Sequence, residues 1–207
     1  MAAIILAGGG GRRLGRPKPL VKLHGRPLIS YAVEAALKVA DEVIVVSGRE
    51  VSKALRGILP GGVELLEDLE EGYGPLMGLY TGLTAAHSSY VLTLPCDSPL
   101  LRVEVLRHLL KRVEGFDAAI PRWPNGYLEP LHAAYRVETS LRACRESLME
   151  GRREMRAILR HLSRVLYVSM EELRALDPEL HTFYNINTPE ELERIEEIMA
   201  MREGNPL

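Results

Sequence analysis

Short apolar runs alternate along the chain with segments whose apolar residues recur every three or four positions, the pattern of a parallel α/β sheet. Residues 2–7 read as a buried strand that runs into a glycine-rich loop at 8–18. The stripe Leu28, Tyr31, Ala32, Ala35 and Ala36 predicts a helix over about 27–39. Val43-Ile44-Val45-Val46 is the second strand and 63–66 the third, with a helix between them. Gly74-Pro75 opens another helix, on which Leu76, Leu79, Tyr80 and Leu83 share a face. The strand at 90–94 ends at Pro95-Cys96-Asp97, and a helix at 102–113 and a strand near 118–120 follow. Residues 121–130 are rich in Pro and Gly and contain Asn125-Gly126, a strong turn signal, so an excursion over the sheet is expected there. The run 131–136 reads as a strand feeding a helix at 137–149. Ser169 with Glu172, and Thr188 with Glu191, are capping boxes that start two later helices, the second with Pro189 at its first position. With no repeat, linker or low-complexity segment, one domain over 1–207 is expected.

Composition narrows the function classes. The 207 residues carry 26 Lys+Arg against 28 Asp+Glu, a net charge of −2, which is not the electrostatic footprint of a nucleic-acid binder. Only Lys18, Lys22, Lys38, Lys53 and Lys111 among the cations are lysines; the rest are arginines. Cys96 and Cys144 are too few for a disulfide scaffold and fit a reducing compartment. No apolar run approaches the ~18 residues of a spanning helix, and the N-terminal apolar run lacks a basic leader, so no membrane association and a cytoplasmic protein are expected.

The stretch Leu6-Ala7-Gly8-Gly9-Gly10-Gly11-Arg12-Arg13-Leu14-Gly15-Arg16-Pro17-Lys18 carries the most chemistry. Consecutive glycines after a buried strand let backbone N–H groups approach a ligand closely, and such a nest suits phosphate oxygens. Arg12, Arg13, Arg16 and Lys18 add four positive charges. A Walker loop is excluded because Gly10 to Gly15 is followed by Arg16, and the glycine spacing does not fit the dinucleotide fingerprint. A turn with solvated arginines is the alternative, but the first βα junction of an α/β sheet is where ligands usually sit. Asp97, at the C-terminal end of a central strand, is a natural hard-oxygen ligand for Mg²⁺, or else a loop-capping Asx turn. Asp68 ends the third strand before Gly72-Tyr73-Gly74-Pro75-Leu76-Met77-Gly78; it can read a nucleoside through guanine N–H groups or ribose hydroxyls, or cap a turn. Cys96 has no convincing His partner and reads as a small buried hydrophobe.

Leu6-Ala7-Gly8-Gly9 with Arg13, Gly15, Lys18, Pro19-Leu20, Gly25 and Pro27-Leu28 resembles the signature of sugar-nucleotide-type nucleotidyltransferases. Within that family Pro95-Cys96-Asp97-Ser98-Pro99 and the Gly-Pro-Leu segment after Asp68 are similar to molybdenum cofactor guanylyltransferases. So are Glu129-Pro130-Leu131 with Ala133-Ala134-Tyr135, Gly151-Arg152-Arg153, and Asn185-Ile186-Asn187-Thr188-Pro189-Glu190-Glu191-Leu192. The resemblance implies a Rossmann-like three-layer sandwich with a mostly parallel sheet, of nucleotide-diphospho-sugar-transferase type. It implies Mg²⁺-dependent transfer of GMP from GTP to the phosphate of a phosphorylated pterin, molybdopterin, with release of pyrophosphate. Arg13, Lys18 and Asp97 would be catalytic, with Asp97 on the metal. Leu6, Ala7, Gly8, Gly9, Lys18, Asp68 and Asp97 would bind the nucleotide, and Arg153 and Asn187 would serve the acceptor side. Cofactor-inserting proteins are the partners it implies.

The chain departs from that pattern at Val46-Ser47-Gly48, where the family usually has an Asn. A cytidylyltransferase for the same pterin therefore stays open. So does an adenosylcobinamide-phosphate guanylyltransferase, which the segment 18–25 and the Asn-Ile-Asn-Thr ending also resemble. A non-catalytic nucleotide-binding subunit is the alternative from another class, and the presence of both Lys18 and Asp97 argues against it.

Overall fold

The computed structural model describes residues 1–8, 14–70 and 72–203. Its frame is one seven-stranded sheet built from β1 (Ala2–Leu6), β4 (Glu42–Ser47), β5 (Val63–Glu67), β6 (Tyr90–Pro95), β7 (Ala118–Arg122), β8 (Ala133–Arg136) and β9 (Val165–Ser169). The strand order is β5-β4-β1-β6-β8-β7-β9. β1 pairs in parallel with β4 and with β6, β4 with β5, and β7 with β9; β8 alone runs antiparallel, against β6 and β7. The hydrophobic runs of β1 and β4 have no polar alternation because both sheet faces are covered. Ala3 and Ile5 pack on one face with Ile29, Ala32 and Val33 of α1 (Leu28–Leu37) and with Val105 and Leu109 of α4 (Val103–Arg112). Ala2, Ile4 and Leu6 pack on the other with Leu76, Leu79 and Leu83 of α3 (Gly74–Ala85) and with Ala143 and Cys144 of α5 (Val137–Met149). The result is three layers, as the motif resemblance implies.

Because β4 lies on one side of β1 and β6 on the other, the chain leaves β1 in opposite directions at their shared edge. That reversal opens a crevice beyond the C-terminal ends of the two strands, where α/β sheets bind ligands. Close packing of α3 deepens it. A Cβ at Gly82 would stand 2.6 Å from Ile4 Cγ2, so only glycine lets the helix lie this near β1.

Three features differ from the sequence reading. Pro27 is not in the first helix: it closes a hairpin of β2 (Lys22–Leu23) and β3 (Arg26–Pro27), turned by His24 and Gly25, both at positive φ. Two positive-φ residues are the requirement of a type I′ turn, and a His at the first of them hid the signal. β9 also went unpredicted; its alternation is diluted because Val165, Leu166 and Tyr167 are all partly exposed. The strand expected over 131–136 begins only at Ala133, because β8 joins the sheet antiparallel to β6 from the turn before it. Elsewhere the local chemistry holds. Ser169 Oγ accepts from Glu172 N–H at the start of α6 (Met170–Arg174). Thr188 and Glu191 cap α7 (Pro189–Glu203) reciprocally. Asn125 Oδ1 accepts from Tyr127 N–H at the predicted turn.

A third, smaller cluster ties the ends of the chain to the site. Val21, Leu23, Leu28 and Leu100 pack with Ile186 and with Ile195 of α7. The segment after Phe183 is thereby drawn back across the chain to the end of β6.

Candidate active site

A cleft of about 1180 Å³ opens beyond the C-terminal ends of β1, β4, β5 and β6. That exceeds the ~300–1,000 Å³ of an ordinary small-ligand pocket and leaves room for a large, extended ligand. Leu6 and Gly8 line it from the end of β1, Pro95, Cys96 and Asp97 from the end of β6, and Asp68 from the end of β5. A Cβ at Gly8 would meet no atom within 4 Å, so the glycine faces open cleft rather than packing. Ala7 is buried, and its N–H donates to Val46 O. Of the residues marked out in the sequence, Gly9, Gly10, Gly11, Arg12 and Arg13 lie outside the described residues.

The centre of the cleft is a three-way contact between distant parts of the chain. Lys18 Nζ donates to Asp97 Oδ2 at 2.6 Å and to Asn187 Oδ1 at 2.6 Å. The Lys18 and Asp97 side chains keep 19% and 12% of their exposure, so the pair is largely shielded yet open on the cleft side. Lys18 begins a 3-10 turn, Lys18–Leu20, preceded by Pro17 and followed by the hairpin, which stiffens its backbone. Asn187 is held from behind: its N–H donates to Glu191 Oε2 at 2.6 Å, and the preceding Ile186 N–H donates to Asp97 O at 2.9 Å. The Asn-Ile-Asn segment is thus stitched to the Asp97 loop.

Charge around the cleft is mixed. Among the described residues lining it, Arg16, Lys18, Arg49 and Lys53 face Glu50, Asp68 and Asp97. The N-terminus of α3 adds a partial positive charge where Gly72, Gly74, Pro75 and Gly78 line the wall. Gly74 is required twice over: its φ is +75°, and a Cβ would stand 3.0 Å from Arg153 O. At Gly78 a Cβ would stand 3.1 Å from Leu6 Cδ2, so this glycine lets α3 lie close against the end of β1. Burial, reinforced by the Asp97 charge, pushes the Cys96 thiol well above the ordinary thiol range, which leaves it inert as a nucleophile.

A second cleft of about 470 Å³ adjoins the first, with Pro75 and Leu131 common to both walls. Arg153 lies there, exposed and stacked on the Tyr73 ring at 4.9 Å, beside Arg156, stacked on Tyr127 at 4.6 Å. Asn187 does not join them. Its side-chain oxygen faces Lys18, and Asn185 lines the second cleft instead.

Sequence reasoning missed three parts of this region. The wall from α2 (Arg49–Leu55), with Arg49 and Lys53 one turn apart after Gly48, carried a readable signal in that spacing. Ser98 sat inside a motif whose Asp drew the attention. His132 was the one titratable residue between the apolar positions Leu131 and Ala133-Ala134.

Comparison with known proteins bears on the same region. Residues 3–165 match the MobA-like NTP transferase domain. The chain is 35% identical over 202 residues to a probable molybdenum cofactor guanylyltransferase of Methanosarcina acetivorans, covering 93% of this chain and 88% of that one. It is 34% identical over 196 residues to one of Pyrococcus horikoshii, covering 93% and 97%. The crystal structure of molybdopterin-guanine dinucleotide biosynthesis protein A from Archaeoglobus fulgidus superposes with a TM-score of 0.83 at 32% identity, over 97% of this chain and 100% of that one. The matched segment contains the glycine loop, Lys18, Asp68 and Asp97, and the relatives extend over nearly the full length. The chain therefore belongs to the MobA-like NTP transferase family and is a nucleotidyltransferase.

Proposed function

We propose that this nucleotidyltransferase moves GMP from GTP to the phosphate of molybdopterin, releasing pyrophosphate. The observation that carries the reading is the contact of Lys18 with Asp97 and Asn187 at the reversal point of the sheet, with a second cleft of about 470 Å³ beside it. The names of the relatives supply the nucleotide and the acceptor. A phosphate oxygen of the acceptor forms a bond to the α-phosphorus of GTP, the bond from that phosphorus to the bridging oxygen breaks, and pyrophosphate leaves in line. Transfer of this kind needs positioning and charge stabilisation more than a protein nucleophile. Backbone N–H groups of the loop that leaves Leu6 and Ala7, from Gly8 and Gly9 onward, cradle the phosphates, since the Ala7 N–H is already taken by Val46 O. Arg13 and Lys18 neutralise the charge that develops on the leaving group, and Asp68 reads the nucleoside. Arg153, at the mouth of the second cleft, meets the acceptor.

The donor set fits Mg²⁺. That ion is commonly held by one or two carboxylates together with substrate phosphates and water rather than by an all-protein cage. Asp97 offers one carboxylate beside the proposed phosphate cradle. Bound there, the ion would neutralise phosphate charge and hold the nucleotide against the chain.

The test is incubation of the purified chain and Mg²⁺ with molybdopterin and labelled GTP or CTP, resolving products by mass. Molybdopterin–guanine dinucleotide and pyrophosphate are expected. A cytosine dinucleotide instead would reassign the base and tie the departure at Val46-Ser47-Gly48 to it. Nucleotide binding without pyrophosphate release would overturn the reading.

A further inference from the structure

Behind the second cleft runs a buried chain of polar side chains with no part in the chemistry above. Ser98 Oγ lies 2.9 Å from His132 Nε2 and donates to Asn185 Oδ1 in a short hydrogen bond. Resting on the reading of the second cleft as the acceptor's, we propose that His132 and Ser98 are positioning residues. They fix the Asn185 carboxamide with its NH₂ group toward that cleft, fitting it to an oxygen-rich acceptor.

The direction of the chain follows from proton counting. A hydroxyl has one proton to give, and the Ser98 proton goes to Asn185 Oδ1, which can only accept. Ser98 Oγ must then accept from His132, so Nε2 carries a proton. The ring is 1% exposed, is covered by the Phe183 ring at 5.2 Å, and its residue is anchored by its N–H donating to Glu129 O at 3.1 Å. On its far side Nδ1 stands 3.7 Å from Glu129 Oε2, beyond hydrogen-bond reach, while Glu129 Oε1 accepts from Trp123 Nε1 at 2.8 Å.

The backbone holds the two ends together. Ile186, next to Asn185, donates its N–H to the carbonyl of Asp97, next to Ser98. A free carboxamide turns over readily, exchanging donors for acceptor. Here Oδ1 is committed to Ser98, which leaves the amide donors for the cleft that Asn185 lines. Arg153 and Arg156 line the same cleft beside Glu129 and Glu154; those carboxylates accept from Trp123 Nε1 and from Arg153 N–H, and the arginine and amide N–H groups complement phosphate or carbonyl oxygens. Turned over, the amide would set an oxygen against such a ligand.

Steady-state transfer with GTP and molybdopterin as varied substrates tests this in the full chain. Ser98→Ala should raise the KM for molybdopterin about tenfold and leave that for GTP within about twofold, the loss of one oriented hydrogen bond. His132→Leu should do the same. His132→Gln, which restores an N–H near Nε2, and Ser98→Thr, which keeps the hydroxyl, should recover most of the affinity. Adding Ser98→Ala to Asn185→Ala should cost nothing further. A molybdopterin KM that does not move, an equal rise in both KM values, or additive losses would overturn the proposal. Nitrogen NMR of ¹⁵N-histidine-labelled wild-type protein gives a readout that needs no variant to fold: a protonated His132 Nε2 supports the chain, and an unprotonated one overturns it. Wild-type protein that makes no dinucleotide refutes the acceptor reading and this proposal with it, an outcome distinct from the variant series.

Discussion

Removing the Lys18 charge should weaken the fold as well as the chemistry, whereas removing the Asp97 charge should weaken the chemistry alone. Lys18→Met keeps most of the side chain's bulk but deletes an ammonium that donates to Asp97 and Asn187 at 2.6 Å each. It leaves a carboxylate that retains only 12% exposure without its cation. Breaking a fully buried pair from one side costs about 3–5 kcal/mol, and an exposed pair about 0–1. A pair shielded to this degree but open to a cleft falls between, at about 2 kcal/mol. For a chain of this size that is a fall in Tm of about 4–8 °C. Asp97→Asn is not the mirror image. Its amide oxygen can still accept from Lys18, and Asn187 still holds the ammonium, so about 1 kcal/mol or less is expected. Both variants should lose turnover by about 10²–10³, the scale of one lost charge-stabilising group. Thermal melts of nucleotide-free protein followed by a pyrophosphate-release assay check both arms. Equal melting temperatures for wild type and Lys18→Met would refute the reasoning, since the pair would then not be formed in the free protein. So would an Asp97→Asn variant that is the less stable of the two.

Three further outcomes follow from the packing and titration of the fold. Gly82→Ala drives a methyl to within 2.6 Å of Ile4 Cγ2 in a closed core, so overpacking should cost about 1–3 kcal/mol in urea unfolding; an unchanged midpoint would refute the close fit of α3 on β1. Burial by itself would raise the Asp117 carboxyl, but the N–H groups of Arg164 and Ser163, the Thr139 hydroxyl and the Arg136 charge outweigh it and hold it below the ordinary carboxylate range. Its stabilising contribution is therefore complete above the unfolded value of about 3.9 and is lost as pH falls through the lower folded value; the gap to Asp117→Asn, about 1–2 kcal/mol at neutral pH, should shrink below about pH 4, and a gap independent of pH would refute it. Burial pushes the Cys144 thiol up to about 12 and raises Cys96 as well, so both should react with a disulfide reagent at pH 8 at least about a hundredfold more slowly than a peptide thiol until the chain is unfolded.

The α/β class and the residues lining the main cleft at the strand ends were legible because each is carried by local chemistry. Continuous hydrophobic runs such as Ile4-Ile5 and Val43-Ile44-Val45-Val46 can be strands only if both faces are covered, which already requires helices on two sides. Lys18, Asp68 and Asp97 were legible for a related reason: a parallel sheet gathers the ends of its strands along one edge, so residues just past each strand converge whatever their separation in sequence. The hairpin at Lys22–Pro27 was not legible, since its positive-φ first position is filled by His24 rather than Asn or Gly. The antiparallel course of β8 was not legible either, because strand direction depends on the path of the excursion before it and not on the residues of the strand.

The sequence by itself determined β1, β4, β5, β6 and β7, the capped starts of α6 and α7, and which residues stand at the strand ends, because periodicity, capping and glycine act over a few residues. Only the tertiary structure decided which partners those residues take. The segment of Asn187, the residue read in the sequence as an acceptor-side contact, is drawn back by Ile186 and Ile195 packing against the hairpin, which places its carboxamide on Lys18, 169 residues away. The same return path put Asn185 beside Ser98 and His132 and gave the second cleft its polar wall. Pairings of this kind are set by the packing of separate hydrophobic clusters, which depends on the whole chain closing at once and leaves no mark on the spacing of the residues it brings together.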